Sequence, residues 1–193
     1  MKVYVQIRLR RVLGLVFQGR AHIFRVLSLF TASCVLGFWA PGIIGENTFE
    51  SARGQFTMWM SDYGAYLWSL AFFIIIKNTW TTYLWMRLGT LYGFLPYCAS
   101  FFNGTVIGAF VKWTSHSVGN YHAVWQMLPH GIFEVPAFIL AFGMGVQIGS
   151  VRFSGQRGAP VREAVKKANL VFVYLSIPLL VLAGFIEASF ILY

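Results

Sequence analysis

Acidic side chains are scarce in this chain: six Asp and Glu stand against fifteen Lys and Arg in 193 residues. Charge of either sign makes up only 11% of it, less than half of the roughly 25% usual in soluble domains. With 58% of residues hydrophobic, a water-soluble fold could not cover its own apolar surface. Cysteine is nearly absent as well. Cys34 and Cys98 both lie in apolar runs, which excludes a disulfide framework and reads as buried free thiols. The sequence also lacks a glycine-rich phosphate loop, a GxSxG elbow, an HExxH zinc signature and any visible internal repeat.

What the chain does have is long apolar runs. A bilayer-spanning helix needs about 20 apolar residues, so there is room for roughly four to six spans and no sizeable soluble domain. The fold class is all-α, a polytopic transmembrane bundle with about five spans near 26–45, 67–86, 88–111, 128–151 and 170–192. Ahead of this transmembrane domain, 26–193, residues 1–25 mix Arg8, Arg10, Arg11, Arg20 and Arg25 with Val, Leu and Phe. That pattern predicts a basic amphipathic helix on the cytoplasmic face rather than a signal peptide. Spans two and three are joined by almost no loop and predict a tight hairpin. Residues 46–66 and 112–127 read as outer polar-aromatic segments, where Trp and Tyr gather. Pro129 suits the first turn of a helix, whereas Pro136 is internal and frees the carbonyl of Ile132.

With the N-terminus in the cytoplasm, twelve of the fifteen Lys and Arg fall inside; Arg53 and Lys112 lie outside and Lys77 within a span. The positive-inside rule therefore orients the chain in the plasma membrane with its C-terminus outside. The net charge of +9 is assigned to anionic headgroups of the lipid bilayer and not to nucleic acid.

Charged residues inside spans cost about 2.5–3.5 kcal/mol each on insertion scales, so Lys77, Glu134 and Glu187 stand out, joined by Asn78, Asn103 and His130. At a rise of about 1.5 Å per residue, all fall in the outer half or near the midplane, with Lys77 about 15 Å deep. One buried polar cluster is expected, structural or lining a substrate path, in which Lys77 neutralises Glu134 or Glu187. Helix glue through buried hydrogen bonds is its bland reading. His130 and Glu134 share a helix face, but zinc wants three or four ligands. No metal, cofactor or catalytic residue is assigned. Gly89/Gly93, Gly104/Gly108 and Gly145/Gly149 recur at the small-xxx-small spacing and, with Gly131, are helix-packing candidates, either within the chain or along a homodimer seam.

Asn103-Gly104 with Gly108, the run Leu128-Pro129-His130-Gly131-Ile132-Phe133-Glu134, Gly143 and Gly145 resemble the stage II sporulation protein M family. Asn78 and the closing Leu182–Ala188 stretch fit the same pattern, which covers roughly 65–193. The resemblance implies a five-span membrane protein without enzymatic activity. It is expected either to scaffold other membrane or envelope proteins or to serve as a permease-like subunit beside a cytoplasmic ATPase. An intramembrane hydrolase built on His130 and Glu134 is the third reading, and no nucleophile stands beside them.

Overall fold

The computed structural model of the chain describes residues 2–45, 67–91, 93–118 and 120–192, and the described residues hold no strand. Helix α1 spans Lys2–Trp39 and is followed by a short 3-10 turn, Pro41–Ile43. Helices α2 (Leu67–Leu88), α3 (Leu95–Val118) and α4 (Asn120–Phe153) follow. Helix α5 (Ala159–Val171) passes through a π-helical turn, Phe172–Ser176, into α6 (Ile177–Leu192). Pro178 explains that turn. It has no N–H for the carbonyl of Tyr174, and its ring crowds that carbonyl, so the helix widens by one residue.

Three of these helical stretches are long and apolar enough to cross a membrane: Arg10–Trp39, Met127–Phe153 and Ala159–Phe190. Helices α2 and α3 are interrupted by Lys77, Asn78 and Arg87 and by Asn103 and Lys112, and they do not reach that standard among the described residues.

Several boundaries differ from those read off the apolar runs, and each has a local cause. The basic N-terminal segment and the first span are one unbroken helix. Val12, Leu15, Gly19, Val26, Phe30, Ser33 and Gly37 are all buried, at the three- and four-residue spacing of a helix face. That stripe runs straight past Arg25, while Arg10, Arg11, Arg20 and Arg25 stay on the exposed side. The described residues of the expected outer loop at 112–127 are also helical: α3 continues to Val118 and α4 begins at Asn120. Pro129 consequently sits in the interior of α4, as Pro136 does, instead of in its first turn. Gly89 and Gly93 fall in the turn between α2 and α3 rather than inside a span. Residues 46–66 lie outside the described residues.

Contacts between helices fix their directions. Ser100 donates from its Oγ to the carbonyl of Val26 at 3.1 Å, and further along Gly104 and Gly108 meet Ser33 and Cys34, so α1 and α3 are parallel. Helices α2 and α4 are also parallel: Asn78 faces Glu134, 56 residues on, and the same offset pairs Gly89 with Gly145 and Gly93 with Gly149. Ser176 donates to the carbonyl of Ala137 at 2.9 Å, Gly19 lies on Gln147, and Gly143 on Ile23. Helix α4 therefore runs against both α1 and the α5–α6 rod. The bundle alternates up and down, and one end collects Arg10, Arg11, Arg87, Arg152, Arg157, Arg162, Lys166 and Lys167.

Helix α4 is the axis, touching every other helix. Its second half is buried nearly all round, from Ala137 through Gly149. Phe138 stacks on Phe142 at 5.6 Å and meets Phe30 of α1 edge-on at 5.2 Å, in one core with Met86, Met144, Ile148 and Phe172. The remaining close contacts depend on glycine. A Cβ on Gly108 would collide with the carbonyl oxygen of Cys34, and one on Gly89 with that of Gly145, so these backbones touch directly. Gly131 is different: a Cβ there meets nothing within 4 Å, because it points away from the neighbouring helices. It packs no helix.

Candidate functional site

The buried stripe of α2 is Leu70, Ile74, Asn78, Thr82 and Met86, one residue per turn. Asn78 thus stands, only 9% exposed, between Leu70 and Ile74, which pack with Ala188 of α6, and Met86, which meets Gly145 of α4. There its Nδ2 donates to Oε1 of Glu134 at 2.9 Å. This bond joins two helices through an amide and a carboxyl at a part-buried position.

Around it the structure gathers part of the expected set. Glu187 of α6 lies within electrostatic reach of Glu134, and His130 flanks Glu134 one helical turn away on α4. Lys77 reaches both carboxyl groups electrostatically. It is nonetheless exposed on α2 and forms no contact ion pair with either of them. The expected neutralising pair is therefore replaced by the Asn78–Glu134 hydrogen bond. The cause is helical geometry: adjacent residues point about 100° apart, so when Asn78 faces α4, Lys77 must turn toward the rim. Asn103 stands apart from the cluster, its Nδ2 donating to the carbonyl of Ala99 in its own helix at 2.7 Å.

Sequence reasoning missed Thr79. It shares a face of α2 with Ile75 and Tyr83, which pack on Gly184 and Phe172 of the α5–α6 rod. Its buried Oγ1 has no hydrogen-bond partner among the described residues, and neither has Nδ1 of His130. The adjacent polar residues in IIIKNTWTT were the available signal. A second group went unremarked nearer the basic end, where His22, Gln147 and Asn169 each keep one buried polar atom without a partner among the described residues. Gln147 sits singly inside an apolar run, whereas His22 and Asn169 lie beside arginine and lysine residues. Chemically, the main cluster offers two carboxyl groups, an amide, an imidazole and a rim lysine, drawn from three helices. Among the described residues no group of three or more His, Cys, Asp or Glu could hold a metal ion.

The sequence pattern of the stage II sporulation protein M family matches residues 26–190. The chain belongs to that family. The match takes in α2 to α5 whole, the second part of α1 and nearly all of α6, and with them Asn78, Glu134 and Glu187. The family assignment, together with the three membrane-length apolar helices, makes this a membrane protein. No curated protein and no solved structure matches the chain.

Proposed function

We propose that this stage II sporulation protein M family member is a non-enzymatic, multi-pass scaffold of the plasma membrane that assembles other membrane or envelope proteins. The observation that carries this reading is the Asn78–Glu134 bond. The most specific polar residues of the chain are spent on locking α2 to the central helix, which is what a rigid docking frame requires. All five rods cross the bilayer, α2 and α3 included: Asn78 is held against α4, Asn103 bonds within its own helix, and Lys77 lies at the rim. The basic end faces the cytoplasm. Partner spans dock on the outward ridge of α2, where Phe72, Ile76, Trp80 and Leu84 are exposed at four-residue spacing. Envelope partners contact the ends of α3 and α4 in residues 112–127 together with 46–66.

A second reading, a permease-like subunit working with a separate ATPase, draws on Lys77, Glu134 and Glu187 lying within electrostatic reach of one another. Ionisable groups within membrane-spanning helices, as Glu134 and Glu187 are here, mark ion and proton paths in transporters.

Purification of the tagged chain from its own host in mild detergent separates the two. Co-purifying cell-wall enzymes or secreted-side proteins support the scaffold. A stoichiometric cytoplasmic ATPase overturns it in favour of transport.

A further inference from the structure

At the basic end, α5 lies along α1, its Val165 and Ala168 packed in the same core as Val12 and Leu15. Between the two helices is a groove of about 570 Å³ lined by Arg11 from α1 and by Glu163, Lys166, Lys167, Leu170 and Val173 from the α5–α6 rod, among others. Its two halves differ. The outer half carries three cations from two helices and a single carboxylate. The other half, one turn further along, exposes the apolar side chains of Leu170 and Val173, the latter 52% exposed, beside the polar Asn169 and Tyr174. That half lies on the helical stretch Ala159–Phe190, which is long and apolar enough to cross a membrane.

We propose that this groove is a binding site for an anionic phospholipid, with the headgroup phosphate held by Arg11, Lys166 and Lys167 and an acyl chain laid over Leu170 and Val173. The charge excess selects an anionic head. The apolar floor beside it selects a lipid over a free anion, which would leave Leu170 and Val173 uncovered. Basic pockets between helices at the membrane surface recognise headgroups in this way. Glu163 opposes the phosphate and limits the affinity. The site is separate from the Asn78–Glu134 cluster and does not rest on the scaffold reading.

The test is lipid binding to the full chain in detergent, followed by native mass spectrometry with phosphatidylglycerol or phosphatidylcholine added. Phosphatidylglycerol should half-saturate the protein at a concentration at least about 5-fold lower than phosphatidylcholine, since each surface cation contributes about that factor. K166Q/K167Q should weaken phosphatidylglycerol binding by about 10-fold or more on the same basis. R152Q/R157Q, which removes equal charge at the same end outside this groove, should leave it unchanged. Glu163→Gln should tighten binding at least about 2-fold, a gain that a misfolded protein cannot give. Equal losses in the two double variants, or no gain in Glu163→Gln, overturn the site. Displacement of the lipid by millimolar inorganic phosphate overturns the lipid assignment in favour of a free anion.

Discussion

Removing the amide of Asn78 tests how the polar cluster is held. The Nδ2–Oε1 distance of 2.9 Å is that of a well-formed hydrogen bond, and Asn78 is 9% exposed, so water cannot replace the lost donor. Asn78→Ala should destabilise the protein by about 1–2 kcal/mol, the upper range for an interhelical bond in a membrane protein. Lys77→Ala removes an exposed amine with no contact ion pair, and its cost should stay below about 0.5 kcal/mol once screening is allowed for. Unfolding of each purified variant in detergent, by heat or by SDS titration, measures both. A double-mutant cycle of Asn78→Ala with Glu134→Ala should return a coupling of about 1 kcal/mol. The reasoning fails if the coupling is near zero, or if Lys77→Ala costs as much as Asn78→Ala; the lysine would then be the true partner of the carboxyl groups.

Gly108→Ala and Gly145→Ala should each cost about 1–3 kcal/mol through forced separation of packed helices, whereas Gly131→Ala should be neutral or stabilise by about 0.5–1 kcal/mol as a helix-interior glycine is replaced; the same unfolding assay ranks them. Ser100→Ala and Ser176→Ala each delete a buried bond between helices and should cost about 0.6–1.7 kcal/mol apiece. In a chain carrying Cys34→Ser and Cys98→Ser, a cysteine placed at Gly155 should react with an impermeant maleimide only after the cell membrane is opened, while one at His116 should react in intact spheroplasts. The reverse pattern would invert the orientation.

The all-helical class and the Pro41-Gly42 stop were legible in the sequence because they depend on long apolar runs and on breakers, whereas Gly89 and Gly93, read as packing residues of a span, form the turn before Leu95. The continuity of α1 was hidden by averaging. A window over residues 1–25 sees arginine mixed with valine and leucine, whereas the face defined by Val12, Leu15, Gly19 and Val26 contains no charge at all. The stretch 112–127 is polar enough to look like a loop, yet its described residues are helical because α3 and α4 extend past the apolar runs within them. The members of the polar cluster could be named from sequence, but not which way each one turns. Asn78 and Lys77 are neighbours in the chain, and only the position of α4 decides which of them faces inward. Asn103 was grouped with Asn78 by its place in an apolar run, but it bonds back to the carbonyl of Ala99 in its own helix.

Helix α2 is fastened to α4 at two heights, by the Asn78–Glu134 bond and, eleven residues further on, by the glycine contact of Gly89 with Gly145. At about 1.5 Å per residue these points are about 16 Å apart. One fastener would leave α2 free to pivot, and a smooth apolar seam would let it slide or roll. Two on the same offset, one directional and one that only a bare backbone can fill, suppress all three motions. In mechanical terms, α2 and α4 form a single beam. A load applied to the aromatic ridge of α2 is carried to the Arg87–Arg152 end by tilting that beam, not by shear within it.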